Sequence, residues 1–371
     1  MAGIYVHIPF CKKACIYCDF HFSTNLTRAS ELVEAIIQEI DERKDYLGQP
    51  IETVYFGGGT PSVLLPELLG RIIERIGSTY TVSSNLELTI EANPDDINIK
   101  SLLQWKNFGV NRLSIGLQSF NDDELKWMNR AHSAKEGLEA VRLAQEAGFN
   151  NITIDLIYGS KFQSTSSWQK TLDTVTDLKI QHISAYNLTV EEKTRLGVMH
   201  SRGTEPMIDE DLSGSQFLLM KRKLEDAGFV HYEVSNFGLP GFFSKHNSNY
   251  WLLKHYAGFG PSAHSFNGYS RQWNIKSNAA YIQKIKLGET CFEKEELRLH
   301  DRYNEYVMTR LRTLWGCDTK EMASLFGTGL TTDFVKQVKN NALITERNGV
   351  YALNAEGLLQ ADGIAASLFV V

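Results

Sequence analysis

The sequence predicts an α/β fold: an incomplete (β/α)6 TIM-like barrel followed by a C-terminal, mostly helical, winged-helix-like domain. Three observations lead there. Short runs rich in β-branched residues alternate with longer helical patterns from the N-terminus, which is how repeated β/α units around a parallel sheet read. Glycines and polar residues gather directly behind those runs, where barrel folds keep their functional side chains. From Arg298 onward the pattern changes to helices followed by a hairpin signal.

Six strands are expected, at Ile4–Ile8, Thr53–Phe56, Leu86–Glu91, Arg112–Gly116, Ile152–Leu156 and His182–Tyr186. Six units leave a barrel open on one side, wide enough for a bulky substrate. Among the intervening helices, Ser30–Lys44 repeats Leu32, Ile36, Ile37 and Ile40 at helical spacing behind a Ser30 cap. Ala134–Ala147 ends at Gly148, a C-cap residue. The stretch from Phe237 to Trp273 is dense in Gly, Ser, Asn and aromatics and reads as irregular structure packed on the barrel. Asn348-Gly349 is a type I′ hairpin signal, and the apolar end, Ile364–Val371, is expected to dock as a last helix or strand. This gives a barrel over 1–236, a connecting region over 237–297 and a C-terminal domain over 298–371.

The chain has 371 residues and a formal charge of −6. The acidic balance and the absence of a basic recognition face argue against nucleic acid as a partner, winged helix or not. No apolar run reaches the roughly 18 residues of a membrane span, and no signal peptide precedes the cysteines, so a cytoplasmic location is expected. Two of the five cysteines, Cys291 and Cys317, read as buried small apolar residues.

The other three carry chemistry. Cys11, Cys15 and Cys18 stand in the spacing CxxxCxxC directly behind the first strand. Three thiolates on a cubane iron-sulfur cluster leave one iron without a protein ligand, which is what a ligand-binding metal needs. Structural zinc, the competitor, requires four ligands, with His7 or His21 completing a Cys3His set. The later strand ends form a polar ring: Gly57-Gly58-Gly59-Thr60-Pro61, Glu91-Ala-Asn-Pro94, Gly116-Leu-Gln118 and Asp155-Leu-Ile-Tyr158. Glycines there let backbone groups approach a ligand carboxylate or amine closely.

This ordered series resembles the radical S-adenosylmethionine (SAM) superfamily. More closely, Tyr5 to Cys11, Phe56 to Pro61, Glu91, Ser114 to Phe120, Arg130 and Asp155 to Gly159 resemble the oxygen-independent coproporphyrinogen III oxidase family. The resemblance implies a [4Fe-4S] cluster on Cys11, Cys15 and Cys18, with SAM on the open iron and reductive cleavage of its sulfonium bond. It also implies that Tyr5 and the Gly58, Gly59 and Thr60 backbone hold the methionine part of SAM. Glu91, Gln118, Arg130 and Asp155 are then its contacts to carboxylate, ribose and nearby polar groups, and Tyr17 lines the adenine side.

Two departures separate this chain from the oxidases of that family. Phe20 stands where a further cysteine falls behind their cluster motif, and the chain starts ten residues before Cys11 where they carry a long leader. In the other direction, His246-Asn247-Ser-Asn-Tyr250-Trp251 matches the HNxxYW motif of the family's heme chaperone branch, HemW. That resemblance implies a heme carrier rather than a decarboxylase of coproporphyrinogen III. His246 becomes the expected heme ligand, with His255 and His264 nearby as substitutes. It implies further a heme-acceptor protein such as a respiratory heme protein, a homodimer and reversible peripheral association with a membrane.

Overall fold

All six expected strands form, in the expected order and parallel. The computed structural model describes residues 1–371. In chain order the barrel half contains β1 (Ala2–Ile8), α1 (Ala29–Glu42), β2 (Ile51–Gly58), α2 (Pro66–Thr79), β3 (Val82–Ala92), α3 (Ile99–Asn107) and β4 (Arg112–Gln118). It continues with α4 (Asp122–Trp127), α5 (Ala134–Glu146), β5 (Ile152–Tyr158), α6 (Thr165–Asp177), β6 (His182–Asn187), α7 (Arg195–Ser201) and α8 (Glu210–Asp226). Strands β1 to β6 lie side by side in sequence order. β1 does not pair with β6, so the barrel stays open.

Alternation along the strands sorts the side chains. Ile4, Val6 and Ile8 are fully buried under the helical layer, while Tyr5 and His7 point to the concave face with the neighbouring Tyr55. Leu32, Val33, Ile36 and Ile40 of α1 seal the other side, joining one core of 55 buried residues. The expected Ser30 cap is not used: α1 begins at Ala29, and its N-cap Arg28 makes no side-chain cap bond. α5 does carry a full capping box, Ser133 with Glu136, and Gly148 behind it adopts φ 82°.

The main correction concerns 237–273. Instead of irregular structure, this stretch extends the sheet at both open edges. β7 (Val230–Glu233) and β8 (Asn236–Gly238) form a hairpin antiparallel to β6. After α9 (Lys245–Trp251), β9 (Tyr256–Phe259) pairs parallel with β1, and β10 (His264–Phe266), β11 (Ser270–Asn274) and, after α10 (Asn278–Lys286), β12 (Phe292–Glu296) follow antiparallel. The result is a twelve-stranded sheet with β1 near its middle. These added strands run only three to five residues each, too short to show a period in the sequence; pairing to a preformed edge decides them.

The C-terminal part has its own core of 14 buried residues, all from Tyr303 onward. It comprises α11 (Leu299–Leu311), β13 (Cys317–Asp318), α12 (Thr319–Val338), the hairpin β14 (Ile344–Arg347) and β15 (Val350–Leu353), α13 (Ala355–Leu358) and α14 (Ala361–Ser367). Asn348 and Gly349 take φ 56° and 83°, the two left-handed residues of a type I′ turn. α12 is broken at Gly327, whose φ of 85° and ψ of 164° are not helical. The chain end docks as a helix. No helix of the protein is long and apolar enough to cross a membrane.

The junction of β9 and β10 permits no side chain at position 258, because a Cβ there would sit 2.1 Å from the His264 carbonyl oxygen. Gly258→Ala is expected to cost about 1–3 kcal/mol of folding stability, the usual range for overpacking. Urea denaturation of the variant beside wild type measures it; an unchanged midpoint would mean that β9 and β10 are not packed this tightly.

Candidate radical SAM site

The loop that carries the cysteines is fastened to the strand ends around it. Cys11 N–H donates to Ser23 O and Ile16 N–H to Met128 O, at 3.0 and 3.2 Å, and Asn129 Nδ2 donates to Ala14 O at 2.7 Å. Two side chains reach the sulfurs themselves: Thr60 Oγ1 lies 3.4 Å from Cys11 Sγ and Arg130 Nη1 3.4 Å from Cys15 Sγ. Arg130 also donates through Nη2 to Asn93 Oδ1 at 2.7 Å and to Gly116 O at 2.8 Å. One guanidinium thus joins the loop behind β1, the loop behind β3 and the end of β4 itself.

All three thiols are free and partly accessible. Burial raises the thiols of Cys11 and Cys18, the latter to about 11, so a metal bound there has to displace the protons. No three Cys, His, Asp or Glu side chains converge to hold a single metal ion. His7 and His21, the candidate fourth zinc ligands, are engaged: His7 Nε2 pairs with His21 O at 3.1 Å and Nδ1 with the Tyr5 hydroxyl at 3.3 Å, while His21 Nε2 meets Asn278 Oδ1 at 2.7 Å. Three soft donors without a single common point suit a cluster of several irons better than one zinc ion.

The glycine turn behind β2 differs from expectation in what it offers. Gly59 N–H donates to Ile8 O, Thr60 N–H to Phe10 O and Gly58 N–H to Glu91 Oε2, so none of the three is left for a ligand carboxylate. A Cβ on Gly59 would lie 2.7 Å from Phe10 O, and one on Gly58, at φ 108°, would strike the His7 ring at 2.5 Å. Glycine is required here because the turn packs against the start of the cysteine loop. What remains for a ligand at this turn is acceptor chemistry, suited to an amine.

Glu91 and Asp155 face the concave side of β3 and β5. Tyr55 donates to Glu91 Oε1 at 2.8 Å, and Ser114 Oγ lies 3.3 Å from both Asp155 oxygens. Burial pushes Glu91 up to about 7 and Asp155 to about 6, with the Tyr55 and Ser114 hydrogen bonds opposing the shift. Gln118, at φ 66°, is held in the left-handed region with its amide over Gly116. Tyr17 is packed beside Cys15, and its hydroxyl is raised by burial.

Beneath these groups lies a polar chamber lined by Tyr55, Arg112, Thr153, Ser184, Ser244 and Asn247. Arg112, 1 % exposed, has no carboxylate in contact and is held by Asn151 Oδ1, Thr153 Oγ1 and Phe242 O. Arg112 and Tyr55 were missed from the sequence. Tyr55 was legible, since Thr53, Tyr55 and Gly57 share one face of β2 by alternation.

His246 lies at the opposite end of the strands from the cysteines. α9 plugs the barrel floor, where Glu87 accepts from the backbone N–H groups of Lys245 and His246. The His246 ring is 2 % exposed, with Nδ1 at 2.8 Å from Thr53 Oγ1 and Nε2 at 2.8 Å from the Tyr250 hydroxyl, and it stacks on Tyr55 at 5.0 Å. Burial lowers its pKa to about 3. The expected heme ligand therefore has neither ring nitrogen available in this structure. His255 is half-buried, its Nδ1 3.0 Å from Gln49, and His264 is exposed.

Comparison with known proteins gives the family and the fold. A radical SAM superfamily model matches residues 5–175. The heme chaperone HemW of Bacillus subtilis is 33 % identical, over 98 % of this chain and 98 % of that protein. This chain belongs to the HemW family of radical SAM proteins. Another relative of this HemW-family chain, radical S-adenosyl methionine domain-containing protein 1 of Bos taurus mitochondria, is 35 % identical over 99 % of this chain and 87 % of its own length. In structure, coproporphyrinogen III oxidase (HemN) of Escherichia coli superposes with a TM-score of 0.85 at 22 % identity, covering 100 % of this chain and 90 % of that one. That likeness establishes the fold.

Glu91 carries a pH signature. Its folded pKa, about 7, lies above its ordinary 4.5, so the folded chain binds this proton more tightly than the unfolded one. Its contribution to stability is present below pH 4.5 and is lost as pH rises through about 7. In the ligand-free chain, Glu91→Gln is expected to remove that loss, gaining on wild type between pH 5 and 8. Denaturation at both pH values checks it; a constant difference would place Glu91 in solvent-like surroundings.

Proposed function

We propose that this protein binds heme and transfers it to an acceptor protein, on a scaffold that also holds a [4Fe-4S] cluster and SAM. The carrying observation is the 33 % identity to a heme chaperone across the whole of both chains. Cys11, Cys15 and Cys18 hold the cluster. When bound, the cluster supplies an open iron for SAM and a source of single electrons.

The chain's own residues prepare that site. Arg130 steadies the Cys15 sulfur and the strand ends behind β3 and β4. Glu91, beside the glycine turn, offers a carboxyl to the SAM amino group; Asp155 and Gln118 offer acceptor and donor atoms to its ribose and carboxylate. Tyr5 and Tyr55 close the floor of that pocket, and the Gly58 to Thr60 turn fixes its wall. A respiratory heme protein as acceptor, a homodimer and a peripheral membrane association rest on the family resemblance alone.

The second reading, oxidative decarboxylation of coproporphyrinogen III, draws on the shared fold. Phe20, 69 % exposed behind the cluster loop where the oxidases carry a cysteine, counts against it. An anaerobic assay decides. The cluster-reconstituted chain, given SAM, reductant and coproporphyrinogen III, is expected to yield no protoporphyrinogen IX, yet to take up heme stoichiometrically and release it to an apo heme protein. Multiple turnovers to protoporphyrinogen IX would overturn the chaperone reading. In parallel, Cys15→Ala is expected to lose cluster iron; a full iron complement would remove Cys15 from the ligand set.

A further inference from the structure

Arg112 is a buried charge to which the cluster and SAM assign no task. It is 1 % exposed at the start of β4, no carboxylate touches it, and its Nε makes no hydrogen bond. Asn151, Thr153 and Phe242 answer its other two nitrogens with neutral oxygens alone. A guanidinium taken this far out of water needs a negative partner, and the place to look is the polar chamber that it lines.

Strand alternation puts that partner one level higher. Arg112 and Ser114 share a face of β4, Thr153 and Asp155 share the same face of β5, and Ser114 stands opposite Thr153 across the two strands. Arg112 Nη2 donates to Thr153 Oγ1 at 2.7 Å, and Ser114 Oγ lies 3.3 Å from both Asp155 oxygens. Two residues of strand, about 7 Å, separate the Thr153 and Asp155 levels. Both levels line the chamber, whose volume of ≈ 40 Å³ has room for two or three waters between polar walls. The other groups facing Asp155 leave its charge unanswered. Glu91 of β3 is a second carboxyl, and the phenols of Tyr55 on β2 and Tyr186 on β6 are held neutral by burial. His182 of β6 is kept uncharged by burial and then by Arg112, Glu87 is occupied by the first amides of α9, and α9 adds only Ser244 and Asn247. Of the two cations, Arg130 is already shared among Cys15, Asn93 and Gly116. Only Arg112 is uncommitted.

We propose that Arg112 is a positioning residue for the ligand's ribose: from the chamber floor, across the Thr153 and Ser114 hydroxyls, it holds Asp155 as a carboxylate. The ionised form matters because only a carboxylate offers acceptor sites on both oxygens, as two neighbouring hydroxyls require, whereas a protonated carboxyl turns one oxygen into a donor. Burial raises Asp155 to about 6, against the Ser114 and Ser184 hydroxyls and then Arg112 and Arg130. Removing Arg112 lets burial raise it further, so that the charged fraction falls near neutral pH and returns in alkali. The contact to ribose rests on the reading in which this pocket holds SAM; the charge on Asp155 is a property of the chain itself.

Calorimetric titration of SAM into the anaerobic, cluster-reconstituted full chain, at pH 6.5 and pH 9, tests it. Arg112→Gln keeps hydrogen-bonding atoms for Asn151 and Thr153 but no charge. It is expected to bind SAM about three- to twentyfold more weakly than wild type at pH 6.5, the range for a carboxyl near 6 that loses an opposite charge, and to within about twofold of wild type at pH 9. In an Asp155→Asn background the same substitution should change the affinity by less than about twofold. A loss equal at both pH values, or one that persists beside Asp155→Asn, would make Arg112 a scaffold residue only and overturn the assignment. Infrared difference spectra of wild type against Asp155→Asn, taken without SAM at pH 7, decide the same point should Arg112→Gln not fold. A carboxylate band is expected, and a protonated carboxyl band would overturn the assignment. Failure of wild type to bind SAM at either pH would overturn the reading of the pocket instead, and would show itself apart from the infrared result.

Discussion

Arg130 ties the molecule's chemistry to its scaffold. Its guanidinium meets Cys15 Sγ, Asn93 Oδ1 and Gly116 O together, and so fixes a loop from one strand end against two others. A flexible loop carrying three thiols would otherwise pay the full entropy of ordering when a cluster assembles. With Thr60 on Cys11 and the backbone bonds at Ile16 and Asn129, that ordering is largely complete before iron arrives. A charge-assisted, planar donor with several N–H groups suits the task, and lysine cannot reproduce it.

The failure of β1 to pair with β6 has a second consequence. Each free edge recruits further strands, β9 to β12 on the β1 side and the β7–β8 hairpin on the β6 side. The barrel floor, by contrast, is closed by α9, with Glu87 holding its first backbone amides and His246 wedged between Thr53 and Tyr250. The same layer of stacked rings, His246 under Tyr55 and Tyr55 bonded to Glu91, carries the floor's packing up to the polar pocket. His246 and Tyr250 of the HNxxYW motif thus pack beneath the polar strand-end pocket in this structure.

The six parallel strands were legible because each is a run of β-branched and apolar residues bounded by turn residues, and Asn348-Gly349 announced its hairpin by the positive φ that both positions need. The cysteine motif and the polar strand ends were legible from spacing alone. β9 to β12 were not, since strands this short take their identity from the edge they join. Arg112 was hidden for a different reason: a charged residue at the start of a strand reads as surface, and only the surrounding carbonyl, amide and hydroxyl acceptors explain its burial. His246 stood out by its motif, while its packing between Thr53 and Tyr250 was hidden because it depends on α9 folding back under the strand starts.

The account's central claim is that the loop behind β1, held by Thr60 and Arg130, is arranged so that Cys11, Cys15 and Cys18 together take up one [4Fe-4S] cluster. Anaerobic reconstitution of wild type and Cys11→Ala, with iron counted per chain and the reduced proteins examined by electron paramagnetic resonance, tests it most directly. The account predicts about four irons per chain and a cluster signal in wild type, and the loss of both in the variant. A full iron complement and an unchanged signal in Cys11→Ala would contradict it.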